Sequence, residues 1–195
     1  MATTKTSSNL HLLSAAIYFI IISLLAVLLW LAFTPHALRF QLTSLIVTSL
    51  ATNTAAELTA KFHVNAVLSN PNFALSVCYE TLHLALLFDN LTISATPVQP
   101  LPFSTAAQTD TPVRARFSVD HRLFPNGIVR GIFEQRGGGS VSFGVAVLAR
   151  FRFTCGTLGT RVRTLKLECY PLQVAFPPRN HGTGSLVAPS HCYAV

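Results

Sequence analysis

Between Thr6 and Leu38 the chain carries no Asp, Glu, Lys or Arg, and within that window Leu10–Phe33 is a nearly unbroken apolar run. Its only interruptions are His11, a few small residues and the aromatics Tyr18 and Trp30. A helix over these 24 residues would be about 36 Å long, enough to cross a hydrocarbon core of roughly 30 Å with some tilt. Fifteen of the 24 are Leu, Ile, Val or Phe, and at about −0.3 to −0.6 kcal/mol each near the bilayer centre they favour insertion by several kcal/mol. Trp30 falls where an interfacial aromatic belongs, and Pro35 ends the helix. A cleaved signal peptide has an apolar region of about 7–15 residues and a small-residue cleavage site, and neither feature fits. Residues 10–33 therefore read as a transmembrane signal-anchor helix behind a short N-terminal tail, 1–9, with the lipid bilayer as the first expected partner.

Only 11% of the 195 residues are charged, against about 25% in an ordinary soluble protein, and the length allows one domain after the helix. The net charge of +7 is uneven: residues 113–195 hold eleven Lys/Arg against Asp120, Glu134 and Glu168. An electrostatic partner should be anionic and should meet that half. Lys5 before the helix and Arg39 after it barely separate the two orientations. Asn90-Leu91-Thr92 is a glycosylation sequon well beyond the helix, and it tilts the expectation toward a cytosolic N-terminus and an extracytoplasmic domain.

From Leu38 to Phe176 the apolar period is 2, the signature of strands. Leu58 to Leu68, Leu82 to Phe88, Val113 to Val119 and Val141 to Phe153 each alternate apolar with polar or small residues. Strands around Phe40–Thr48, Leu91–Ala95 and Val162–Val174 bring the number to about seven. Asn70-Pro71-Asn72, Asp89-Asn90, Pro97–Pro102, Pro125-Asn126-Gly127 and Gly137-Gly138-Gly139 read as the turns between them. No helical apolar period stands out after residue 38. The expectation is all-β: an antiparallel β-sandwich over 38–176, followed by a disordered Gly/Ser/Pro/His tail over 177–195.

Several short motifs fall in a specific order. Asn70-Pro71-Asn72 follows an alternating strand, Tyr79 comes seven residues later, and Pro100-Leu101-Pro102-Phe103 follows the next hairpin. A long strand ending Arg150-Phe151-Arg152-Phe153 leads to Gly156, and Cys169-Tyr170-Pro171-Leu172 lies in the last strand. In this order and spacing, over roughly residues 10–176, the chain resembles the plant membrane-anchored family related to non-race-specific disease resistance and harpin-induced proteins, whose outer domain is a late-embryogenesis-abundant group-two domain. The resemblance implies an immunoglobulin-like or fibronectin III-like sandwich, no catalytic residues and no cofactor. It also implies residence on the plasma membrane or a related endomembrane, a part in plant defence or stress response, and protein partners in defence signalling. The family's longer, often basic and Pro-rich tail is reduced here to residues 1–9, Cys78 stands where an aromatic is common, and Ser104 and Thr105 replace an aromatic and a glutamine.

Arg114, Arg116, Arg150 and Arg152 occupy i, i+2 positions on the polar faces of two strands. If those strands share a sheet, four guanidinium groups form a patch for bidentate binding of carboxylate or phosphate, so acidic wall polysaccharide or anionic lipid headgroups are the expected ligands. Arginines on a solvated sheet also keep edges from aggregating, without any ligand. Arg161 and Arg163 share the parity of Leu165 and Leu167, which requires a strand start after Arg163 or a bulge. His181, His191 and Cys192 have no metal-ligand spacing, so no metal is expected. Ser118, Asp120 and His121 hold the residue types of a triad without an oxyanion-hole signature. Cys155 and Cys169 flank a hairpin without facing one another, and Cys78 and Cys192 have no evident mates; a disulfide outside the cell is permitted, and buried free thiols are the default. Nucleic acid is a poor partner, because no basic–aromatic motif accompanies the charge. The reading is a non-enzymatic, single-pass protein displaying a binding domain, the alternative being a water-stress protectant that stabilises membranes or proteins without a specific ligand.

Overall fold

A computed structural model describes residues 3–52, 56–156, 158–177 and 182–195. In chain order the elements are α1 (Thr3–Phe33), β1 (Arg39–Ala51), β2 (Glu57–Ser69), β3 (Ser76–Phe88), β4 (Leu91–Pro97), β5 (Phe103–Thr105) and β6 (Asp110–Leu123). There follow α2 (Asn126–Gly137), β7 (Ser140–Cys155), β8 (Leu158–Gly159), β9 (Arg163–Ala175), β10 (Gly184–Leu186), β11 (Ser190–His191) and β12 (Tyr193–Ala194). The helix begins at Thr3 rather than at residue 10, so most of the expected tail is helical. Leu13–Phe33, with mean hydropathy 2.7, is long and apolar enough to cross a membrane, and none of it is buried against the rest of the chain.

The domain is all-β and antiparallel, and the seven expected strands are its seven longest. The sheet runs β4-β3-β7-β9-β10-β1-β2-β6. It folds over so that β4-β3-β7-β9 and β1-β2-β6 face each other across one core. Phe62 of β2 meets Phe143 of β7 edge-to-face at 5.5 Å, in the middle of that core. The two free ends of the sheet also approach: Arg122 of β6 donates to the Ile93 carbonyl of β4 at 3.2 Å, so the sandwich is nearly closed. Alternation is what makes this work. Along β2 the residues Leu58, Ala60, Phe62, Val64, Ala66 and Leu68 all turn inward and are buried.

Two parts of the chain depart from the reading of the sequence. Pro125-Asn126-Gly127 is not a hairpin turn but the start of α2, with Pro125 at its N-cap and Gly138 at its C-cap. Its Val129 and Ile132 are buried, with Ile128 and Phe133 packed beside them, so the helix plugs one end of the sandwich. The expected disordered tail is ordered in its described part, 182–195. β10 lies between β9 and β1, pairing Ser185 with Ala175 on one side and with Ile46 on the other. β11 extends the contact with β1 and β12 that with β9. The tail thus fills the gap between the two layers, because unpaired strand groups on β1 and β9 offer it hydrogen bonds at Gly184–Leu186, Ser190–His191 and Tyr193–Ala194.

A disulfide joins Cys169 of β9 to Cys192 of the tail. The default of free thiols is therefore corrected for these two cysteines, while Cys78 is free. Pairing could not be read from the strand register because Cys192 sat in a segment expected to be unstructured. In β9 the inward parity of Leu167 and Cys169 switches to Leu172 and Val174 across Tyr170-Pro171. Proline cannot donate to the ladder, so a parity change is natural there. Arg163 opens the strand exposed, its guanidinium 5.5 Å over the Phe153 ring.

Candidate functional site

The four arginines do not form one patch. β6 ends one layer, while β7 lies in the other between β3 and β9, so Arg114 and Arg116 face away from Arg150 and Arg152. The i, i+2 spacing put each pair on a polar face correctly, but only tertiary pairing decides which faces coincide. Arg152 is further committed to Glu80, with Nε donating to Oε1 at 3.0 Å, and that hydrogen bond raises the guanidinium pKa above its ordinary value.

Arg114 and Arg116 have different company. In the β2–β6 register Arg116 lies opposite His63 and Arg114 opposite Asn65, while Lys61 lies opposite Ser118. Directly opposed side chains on one sheet face stand about 5 Å apart at Cβ. Lys61, His63, Arg114 and Arg116 therefore make a contiguous basic face, and none of them has an ion-pair partner among the described residues. A shallow trough of about 490 Å³ crosses it, running from Thr43 and Ile46 on β1 to Arg116 on β6. Asp110 and Asp120 stand four residues outside Arg114 and Arg116 along β6, and Asp120 accepts from the Ser118 hydroxyl at 2.8 Å. Lys61 and His63 were visible in the sequence as polar positions of an alternating strand, but the register was needed to put them beside the arginines. Pro112 and the exposed arginines also suit β6 to its place at the end of the sheet.

Beside this face, Val98, Pro100, Phe103, Thr111 and Arg114 line a second cleft of about 410 Å³. Phe103 stacks on Tyr79 at 4.9 Å, next to the exposed Pro102. Tyr79 is fully buried, its hydroxyl lacks a hydrogen-bond partner among the described residues, and burial raises its pKa above the ordinary value. The Ser118–Asp120–His121 group is not arranged as a triad. The serine hydroxyl is held by a carboxylate, and the His121 Nδ1 lies 2.9 Å from Glu57.

The other motif residues are structural. Asn70 and Asn72 are buried between loops. Asn70 Nδ2 donates to the carbonyls of Leu75 at 2.8 Å and Ala106 at 2.9 Å, while its Oδ1 accepts from Asn72 Nδ2 at 2.8 Å. Asn72 in turn accepts from the His36 N–H at 2.5 Å and donates to the His36 carbonyl at 3.2 Å. Pro71 separates the two asparagines. The motif therefore ties the segment that leaves α1 to the sandwich. Gly156 follows β7 at φ +58°, a left-handed conformation that favours glycine. Asn90 is exposed in the β3–β4 turn, at the end of the sandwich away from α1. Of the histidine and cysteine cluster weighed for metal, His181 lies outside the described residues, His191 is in β11 and the Cys192 sulfur is bonded to Cys169.

No protein-family profile matches this chain, and no curated protein matches it. Among solved structures, a protein from Archaeoglobus fulgidus aligns with 69% of this chain and 95% of its own, at 9% identity and a TM-score of 0.29.

Proposed function

We propose that the chain is a non-enzymatic, single-pass membrane protein that holds a β-sandwich on the extracytoplasmic side and binds anionic surfaces there, as part of plant defence or stress response. The biological setting rests on the resemblance carried by the Asn70-Pro71-Asn72, Tyr79, Pro102-Phe103 and Cys169 motifs. The apolar Leu13–Phe33 helix supports anchoring, and the Cys169–Cys192 disulfide supports an oxidising compartment. Asn90 sits exposed in a turn, where a lumenal glycosyltransferase can reach it.

The observation that carries the binding role is the unpaired basic face of Lys61, His63, Arg114 and Arg116 over its trough. Guanidinium pairs suit carboxylates bidentately, so acidic polysaccharide of the wall is the favoured ligand class. Retention of the detergent-solubilised full-length chain on immobilised polygalacturonate tests it. Replacing Arg114 and Arg116 by Glu together should abolish salt-sensitive retention, whereas the same change at Arg150 and Arg152 should leave most of it. Equal effects from the two pairs, or retention indifferent to both, would contradict the assignment. Retention that depends on no named residue would favour the protectant reading.

A further inference from the structure

The end of the sandwich next to α1 differs chemically from the end far from it. Five residues, 34–38, connect the last turn of α1 to the core, which Leu38 already enters. The Asn72 side chain grips His36 midway along that connection. Three peptide steps from Phe33 to His36 reach at most about 11 Å. A headgroup layer is roughly 5–8 Å thick on each side of a bilayer. If Phe33 marks the edge of the hydrocarbon, the Asn72 loop has no room to stand far from the headgroups.

That loop carries Phe73, 70% exposed although it adjoins two fully buried asparagines. Around the same end, Arg39 opens β1, Arg161 precedes β9 and Arg163 opens it, all exposed and none in an ion pair among the described residues. The near end's exposed acid is Asp110, which opens β6, whereas the far end sets Arg122, Arg130 and Arg136 against Glu57, Asp89, Asp120 and Glu134. An exposed aromatic at the same end of the sandwich as three exposed arginines matches an interface of acyl chain and phosphate. Because the tether is so short, lipid is also the partner at highest effective concentration.

We propose that this end of the sandwich seats on the phospholipid headgroups of the leaflet from which α1 emerges, with Phe73 entering the interface and Arg39, Arg161 and Arg163 taking phosphate oxygens. The seating rests on the anchored reading above, and the test separates the two. The full-length chain has a single tryptophan, Trp30, near the end of α1. In nanodiscs of phosphatidylcholine brominated near the top of its acyl chains, Trp30 reports the anchor. In a W30F background, F73W reports the near end, and L123W, at a position 74% exposed on the far end, is its counterpart. Both positions are on the surface, so neither reporter disturbs the core.

F73W should be quenched to an extent comparable with Trp30, and L123W should not be quenched. Exchanging phosphatidylcholine for a galactolipid with the same brominated chains should weaken quenching of F73W, as should joint replacement of Arg39, Arg161 and Arg163 by Gln. Quenching of Trp30 without quenching of F73W would overturn the seating and leave the anchor standing. An unquenched Trp30 would overturn the anchor and the seating with it. Quenching of F73W that ignores both the galactolipid and the arginine changes would overturn the phosphate contacts.

Discussion

The two ends of the sandwich are closed by opposite means. At the far end α2 inserts Val129 and Ile132 into the opening between the layers, an apolar plug held by packing. At the near end, buried Asn70 and Asn72 join the 70–75 loop, the 105–106 loop and the segment after α1 through side-chain hydrogen bonds. Burial is non-directional and leaves the far end tolerant of its surroundings. The polar clasp is directional, and it fixes how the domain hangs from its helix. On the seating proposed above, the directional device lies at the end that would face the membrane.

The comparison can be broken at either end. Ile132→Ala empties a fully buried site in the plug and should cost about 2–5 kcal/mol, read as a lower urea midpoint of the full-length chain in detergent. Removing the Cys169–Cys192 link, which closes a loop of 23 residues, should cost about 3 kcal/mol on a chain-entropy account. The same titration of the joint C169S and C192S variant checks this, with no further loss on adding reductant. Asn72→Ala leaves the two His36 backbone groups unpaired where they are half-shielded and should cost about 1–3 kcal/mol. Its sharper signature is faster hydrogen exchange at residues 34–38 with exchange in α2 unchanged.

The smallest effect concerns Tyr79. Its buried hydroxyl lacks a partner among the described residues, so Tyr79→Phe should raise stability by about 1 kcal/mol. The native phenol titrates above its ordinary value because it is buried. Above roughly pH 10 the unfolded chain has therefore lost this proton while the native one keeps it, and stability falls as pH rises, by about 1.4 kcal/mol per unit. Tyr79→Phe should flatten that alkaline decline, and an unchanged slope would show that another group causes it.

Strand positions were legible because period 2 survives over most of each long strand, broken only locally, as between Leu42 and Ser44 in β1 and across Tyr170-Pro171 in β9. α2 escaped because its Ile128, Val129, Ile132 and Phe133 pattern spans little more than one turn and sits between turn-forming Pro125-Asn126-Gly127 and the glycines at 137–139. The tail escaped because its strands are only two or three residues long, too short for an alternation to show, and Gly182, Gly184 and Pro189 interrupt them. They are ordered by backbone hydrogen bonds to β1 and β9 and by one disulfide, which local composition does not reveal. The basic face was half legible: parity identified Arg114 and Arg116, but their neighbours Lys61 and His63 depend on the register between β2 and β6. Arg150 and Arg152 obey the same spacing on the opposite layer, where the rule cannot tell them apart.

The central claim is that the helix anchors this sandwich on the extracytoplasmic side. Protease protection of the full-length chain in sealed microsomes, read with a C-terminal epitope and with the mobility shift of an Asn90 glycan, tests it most directly. The account predicts that the epitope survives until detergent is added and that the shift disappears with Asn90→Gln. Immediate loss of the epitope from sealed vesicles, with no shift, would contradict it.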